Sequence, residues 1–215
     1  MLAQRQNSGV IRILIVDDHP VVCSGLTSML SMHGGLEVMG SAATGEEAIA
    51  IIRRDCPDLM LLDLRMPGMD GIGVLSVLKQ MEHVPRVLVL TSFEKEEDIY
   101  RAIRAGAHGY LLKDTSESEM IVAINTVHSG KRYIPRDIAA RLTDRMMRSD
   151  LTARELQILE LLSQGSTNKQ IGQVLSISDN TVRHHVNNIM EKLQVSDRTQ
   201  AVAIALRSGL LSGTD

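Results

Sequence analysis

The first 130 residues alternate short, almost unbroken runs of Val, Ile and Leu with longer stretches in which apolar residues return every three or four positions. A run such as IRILIV has too few polar interruptions for a half-exposed strand and predicts one covered on both faces. The pattern places strands at 11–16, 36–42, 58–62, 86–91 and 109–112, and helices at 20–32, 45–54, 70–83, 95–105 and 116–129. Glycines punctuate it, with Gly34 and Gly35 after the first helix, Gly106 after the fourth and Gly130 after the fifth, while Ser116 and Glu119 predict a capping box. Five strand-then-helix repeats predict an α/β doubly wound, five-stranded parallel sheet.

From residue 131 the strand signals stop. The segment KRYIPRDIAARLTDRMMRSD is basic and partly helical after Pro135, and beyond it periodicity and caps predict four short helices. Thr152 with Glu155 opens 152–163, closed by Gly165; Thr167 with Gln170 opens 168–175; Ser178 opens 179–193; Asp197 with Gln200 opens 197–208. The predicted organisation is an α/β domain at 10–130, a basic linker carrying one helix at 131–150, and a small all-α four-helix domain at 151–215.

Composition sharpens this. A chain of 215 residues with one Phe and no Trp must fill its cores with aliphatic side chains. The net charge of −3 argues against a uniformly basic nucleic-acid binder, but the charge is uneven: residues 1–130 carry 11 Lys/Arg against 17 Asp/Glu, residues 131–150 carry 6 against 3, and residues 151–215 carry 6 against 6. Cys23 and Cys56 form neither a metal-like nor a disulfide spacing, as expected for a reducing cytosol. No apolar stretch approaches the length of a membrane span, and the polar N-terminus lacks a signal-peptide core, so the expectation is a cytoplasmic protein without membrane contact.

Parallel sheets gather their functional groups outside the carboxyl ends of the strands. Here the first strand exits into Asp17 and Asp18, the third into Asp63, the fourth into Thr91 and Ser92, and the fifth into Lys113. Solvated strand ends would explain any one of these, but not matched chemistry on four strands. A hard divalent cation does explain it, because Mg2+ takes a few carboxylate oxygens and often shares a phosphate ligand. On that reading the ion bridges acceptor and transferring oxygens, Lys113 pairs with a phosphoryl group, and the Thr91 hydroxyl donates to another of its oxygens.

The ordered motifs VDDHP, LLDLRMPGMDG, LTS and GYLLKD resemble the receiver domain of two-component response regulators, with Asp114 after the lysine as in the NarL/FixJ branch. The resemblance implies a flavodoxin-like fold, Asp63 as phospho-acceptor, and Mg2+ held by Asp17, Asp18, Asp63 and the main-chain carbonyl of Arg65. It also implies that Thr91 and Lys113 contact the phosphoryl oxygens, with Tyr110 as the aromatic that moves when Thr91 does. A sensor histidine kinase would be the donor.

In the C-terminal half, helices 168–175 and 179–193 flank the turn Ser176-Ile177-Ser178, a helix-turn-helix arrangement at about 168–187. Val182, Val186, Ile189 and Leu193 make the buried stripe of the second helix, leaving Asn180, His184, Asn187, Asn188 and Glu191 opposite, flanked by Thr181 and Arg183. Asn and Arg side chains suit base edges, while Lys169, Thr181 and Arg183 suit phosphates. A solvated polar face would look the same by composition. The signposts LT-x-RE, NK-x-I, TV-x-x-H and KL-x-V in 151–211 resemble a LuxR-type DNA-binding domain. By that resemblance Lys169, Thr181, Arg183, His184 and Asn187 face double-stranded DNA, His185 sits at the edge of the stripe, and the last helix is a dimer contact.

Taken together, the expected function is a DNA-binding transcriptional response regulator switched by phosphorylation, acting as a homodimer on DNA with RNA polymerase as a further partner. It is not expected to be an enzyme beyond its own phosphorylation and dephosphorylation. Two alternatives remain open from the residues: a phospho-switched adaptor that binds protein, and a Mg2+-dependent phosphohydrolase. The latter wants a second acid two residues after the acceptor, where Arg65 stands.

Overall fold

A computed structural model of the chain describes residues 9–92, 95–146 and 150–211. The chain divides into two compact units, the first holding the described residues up to 92 and 98–139, the second 95–97 and those from 140 onward. In the first, five parallel strands, β1 (Ile11–Val16), β2 (Leu36–Ala42), β3 (Leu59–Leu62), β4 (Arg86–Thr91) and β5 (Gly109–Leu112), form one sheet in the order β2-β1-β3-β4-β5. They alternate with α1 (Pro20–Ser31), α2 (Gly45–Arg54), α3 (Gly71–Leu78), α4 (Glu96–Ala105) and α5 (Glu117–His128).

The apolar runs are explained by burial on both sides. Ile13, Ile15, Leu59, Leu61, Leu88, Leu90 and Leu111 pack with Leu30 of α1 and with Met120, Ala123, Ile124 and Val127 of α5. Strand alternation turns Leu14, Val16, Met60, Leu62, Val87, Val89 and Tyr110, all buried, to the opposite face. Only β2 is partly exposed along much of its length, as an edge strand can be.

The other edge is covered. Beyond α5 the chain runs back along β5, where Tyr133 N donates to His108 O at 3.1 Å and Tyr110 N donates to Tyr133 O at 3.0 Å. These bonds occupy backbone groups that a bare edge would offer to another chain. The Tyr133 hydroxyl donates to Glu119 Oε1 at 3.0 Å. This accounts for a departure from expectation: Ser116 caps α5 by accepting from Glu119 N, but Glu119 does not complete the predicted box. A second departure is α3, predicted to run to residue 83 but ending at Leu78, followed by turns in which Gln80 N donates to Val77 O and Met81 N to Leu78 O. Pro85 lies close behind and disfavours helix at the residue before it.

α6 (Arg136–Met146) follows Pro135. The second unit contains α7 (Ala153–Ser163), α8 (Asn168–Leu175), α9 (Asp179–Leu193) and α10 (Arg198–Ser208). Complete capping boxes open α7 through Thr152 and Glu155 and α8 through Thr167 and Gln170. Ser178 caps α9, and Asp197 accepts from Thr199 N and Gln200 N at the start of α10. Ile158, Leu159, Leu162, Ile171, Val182, Val186, Ile189, Leu193, Ala201, Ala205 and Leu211 form this unit's core. Among the described residues no helix is long and apolar enough to cross a membrane.

Candidate functional site

The strand order reverses between β1 and β3, and a sheet of this topology opens its crevice at that point, beyond the carboxyl ends. β1 ends at Val16 and β3 at Leu62, paired with each other across the sheet. Asp63 N donates to Val16 O at 2.9 Å, so the acids following the two strands emerge side by side. β5 delivers Lys113, whose backbone N donates to Thr91 O at 2.9 Å at the end of β4. Lys113 Nζ reaches both acids, lying 2.6 Å from Asp17 Oδ2 and 2.6 Å from Asp63 Oδ2.

Both carboxylates are almost wholly buried, with side-chain exposures of 3% each. Burial alone would lower the Lys113 pKa, but hydrogen bonds to Asp17 and Asp63 outweigh it and hold the ammonium above its ordinary range. Asp63 Oδ1 accepts from Leu64 N at 2.6 Å and from Arg65 N at 3.4 Å, which orients the carboxylate. Gly71 makes room for the loop between β3 and α3: a Cβ there would collide with the Asp63 carbonyl oxygen. Thr91 and Tyr110 are both fully buried, at the end of β4 and within β5.

Lys113 contacts Asp17 and Asp63, and with Asp18 beside them the carboxylates outnumber it, leaving the pocket acidic. Asp17, Asp18, His19 and Asp63 each offer a ligand atom, all within 4.8 Å of one another. Asp18 Oδ1 is buried yet accepts no hydrogen bond. His19 Nδ1 lies 2.9 Å from it, without the alignment of a hydrogen bond. An oriented set of hard oxygens, one of them accepting no hydrogen bond, fits a divalent cation.

In the second unit, Ser176 adopts a left-handed conformation (φ 54°) that ends α8, and the chain turns directly into α9. A Cβ on Gly172 would lie 2.7 Å from Ile177 O, so this glycine permits the close approach of helix and turn. Val182, Val186, Ile189 and Leu193 are buried as their spacing predicts. Asn180, Thr181, Arg183, His184 and Asn187 are exposed and line one shallow depression, with Lys169 exposed on α8. Arg183 pairs with Asp179 at 3.4 Å, one turn earlier. His185 is half-buried, and its Nδ1 has no hydrogen-bond partner.

The sequence profile of the response regulator receiver domain matches residues 13–125, and that of the luxR family of bacterial regulatory proteins matches residues 149–205. The chain is a response regulator of the NarL/FixJ family. Relatives include the transcriptional regulatory protein LiaR of Bacillus subtilis, 39% identical over 211 residues, with 94% of this chain and 100% of LiaR covered. The response regulator VraR of Staphylococcus aureus is 38% identical over 206 residues, covering 94% and 99% of the two chains. The crystal structure of the response regulator ChrA from a heme-sensing two-component system is 38% identical, covers 94% of this chain and 100% of its own, and superposes with a TM-score of 0.56. RcsB bound to DNA as dimers has the same fold at 23% identity, with a TM-score of 0.69 and coverage of 93% and 98%. This regulator is therefore a DNA-binding transcriptional response regulator.

Three side chains of the regulator were not legible as site residues in its sequence. Asp98 of α4, almost fully buried, receives both its carboxylate contacts from the Arg65 guanidinium, at 2.9 and 3.2 Å, and so ties the acceptor loop to α4. His19 joins the acid pocket. Lys192 of α9 lies 2.7 Å from the buried Glu155 carboxylate and also donates to Asp150 O at 3.2 Å, anchoring the last turn of α9 to the start of α7. Burial works to raise the Glu155 pKa, but bonds from Lys192 and Thr152 overcome it and hold the carboxyl below its usual range.

Proposed function

We propose that this regulator accepts a phosphoryl group from a sensor histidine kinase on Asp63, with Mg2+ held by Asp17, Asp18, Asp63 and the main-chain carbonyl of Arg65. The observation that carries the reading is the meeting of Asp17, Asp63 and Lys113 at the reversal of strand order, with a buried Asp18 oxygen that accepts no hydrogen bond beside them. Asp63 supplies the attacking carboxylate oxygen, held in orientation by Leu64 N. An ion held by these residues would neutralise charge on the oxygens gathered around the transfer. Lys113, already charged and paired to Asp63, moves its contact to a phosphoryl oxygen as the carboxylate charge is consumed. Thr91 donates to a second phosphoryl oxygen, and the buried Tyr110 repacks with it, altering the surface of α4 and β5.

The receiver comprises residues 10–130, the linker 131–150 and the DNA-binding domain 151–215. A homodimer in the cytoplasm binds two half-sites, with Thr181, Arg183, His184 and Asn187 at the groove and Lys169 at a phosphate, and it works with RNA polymerase. Arg65, held by Asp98 where a metabolite phosphohydrolase would place its second acid, supports a regulatory rather than an enzymatic role. Selection of genomic fragments by the purified chain, with and without a small phosphodonor, tests the whole reading. One sequence with two-fold symmetry, enriched more strongly with the phosphodonor and losing that gain in Asp63→Asn, supports it. Enrichment indifferent to the phosphodonor contradicts it.

A further inference from the structure

His19 occupies the N-cap of α1, a position where Ser, Thr, Asp or Asn usually accepts a hydrogen bond from the first turn. Its side chain makes no such bond, and Pro20 follows at the first helical position. The imidazole turns back over the carboxylates instead. Its Nδ1 lies 3.1 Å from Asp17 Oδ1 and 2.9 Å from Asp18 Oδ1, while the His19 backbone N donates to Asp17 Oδ1 at 2.9 Å. The helix thus forgoes a cap worth about 1 kcal/mol, and the side chain that could have been a cap serves the pocket.

The position is that of a ligand. A first-row divalent ion bonds nitrogen and oxygen at about 2.0–2.2 Å, so atoms sharing one ion lie within roughly 4.4 Å of one another. The ligand atoms of Asp17, Asp18, His19 and Asp63 fall within 4.8 Å, close to that span without any ion drawing them in. Of the two carboxylate oxygens beside Nδ1, the nearer is Asp18 Oδ1, the buried atom without a hydrogen bond. The ring is 65% exposed, leaving it free to turn its Nδ1 lone pair inward once the proton sits on Nε2.

We propose that His19 is a nitrogen ligand of the acid pocket, so that the pocket takes borderline divalent cations such as Zn2+ through a bond it does not use for Mg2+. Imidazole suits Zn2+, whereas Mg2+ keeps to oxygen and water. Carboxylates alone would hold both ions; His19 separates them. This rests on the reading of the pocket as a cation site.

Calorimetric titration of the full chain with Mg2+ and with Zn2+, in wild type, Asp18→Asn, His19→Ala and His19→Gln, tests it, with Zn2+ uptake that survives in Asp18→Asn counted as background at other histidines. The expected result is that Asp18→Asn loses both ions, while both His19 variants weaken Zn2+ by at least about 10-fold and leave Mg2+ affinity unchanged. The His19 ring resonances should shift with one equivalent of Zn2+ and stay in place with Mg2+. If Asp18→Asn loses both ions and the His19 variants lose neither, or lose both equally, the His19 ligand is overturned and the cation pocket stands. If wild type and Asp18→Asn bind Mg2+ alike, the pocket itself is overturned and His19 with it.

Discussion

The two halves of the regulator build their working surfaces in opposite ways. In the receiver, Asp17, Asp63 and Lys113 come from three strands and meet only because the parallel sheet brings those strand ends together. They are buried, mutually paired and dependent on one another's charge. In the C-terminal domain, Asn180, Thr181, Arg183, His184 and Asn187 share two turns of one helix, exposed on a face whose reverse is core. Buried, coupled charges make a site in which chemistry and stability are inseparable; an exposed helical face leaves recognition free to vary without disturbing the fold. On the proposed reading, the first arrangement suits a reaction that must be the same each time, and the second a surface that must match one DNA sequence.

That contrast breaks most visibly at Lys113. Replacing it with Met leaves two buried carboxylates facing each other without a cation, and unfolding of the receiver in the absence of divalent ions should become easier by about 3 kcal/mol. Addition of Mg2+ should recover part of the loss in chemical denaturation; a variant as stable as wild type without the ion would mean that the acids are not coupled as their geometry implies.

Lys192→Met probes the exception, an ion pair of the helical half that is buried on its acidic side. Glu155 would keep its Thr152 donors but lose its cation, costing about 2 kcal/mol, between the exposed and buried limits for such pairs. Thermal unfolding should show the loss in the C-terminal transition, with phosphodonor labelling of the receiver unchanged.

On the exposed face the sign of the contrast reverses. Asn187→Ala should weaken binding to the selected DNA site by about 1–3 kcal/mol and relax base preference there, with an unaltered melting temperature, read by fluorescence anisotropy and calorimetry. A stability loss equal to the affinity loss would show that this face is structural.

The smallest effect concerns His108, whose Nδ1 accepts from Val87 N at 3.1 Å beside the start of β4. Burial, and then Arg86 and Arg132, push its pKa down, so the folded receiver prefers the neutral ring. The unfolded chain takes up the proton first: the stabilisation is complete above the ordinary imidazole value of about 6.5 and is lost as pH falls below it toward the depressed folded value. Denaturation midpoints measured from pH 7.5 down to 5 should decline more steeply in wild type than in His108→Gln.

Much of this was readable along the chain because it depends on local pattern. The aliphatic runs marked the strands, and Thr152 with Glu155 and Thr167 with Gln170 marked helix starts whose bonds are all local. The acids and Lys113 were readable for a different reason: the topological rule places every strand exit of a parallel sheet on one rim. What escaped was long-range pairing. Nothing in the spacing of Arg65 and Asp98, Glu155 and Lys192, or Glu119 and Tyr133 announces that they meet. The last of these also explains the incomplete capping box at Ser116, since a carboxylate taken up by a distant hydroxyl does not close a local ring. His19 was visible in VDDHP but silent, because a histidine before Pro-Val-Val reads as an ordinary helix entrance until its ring is found over two carboxylates.

On the proposed reading, acids far apart in the chain form one cation-dependent pocket in which Asp63 takes the phosphoryl group. Mass measurement of the intact chain after exposure to a small phosphodonor and Mg2+, in wild type and in Asp63→Asn, tests it most directly. The prediction is one added phosphoryl group in wild type, lost on chelation of the ion and absent from Asp63→Asn; labelling of Asp63→Asn to the same extent would contradict it.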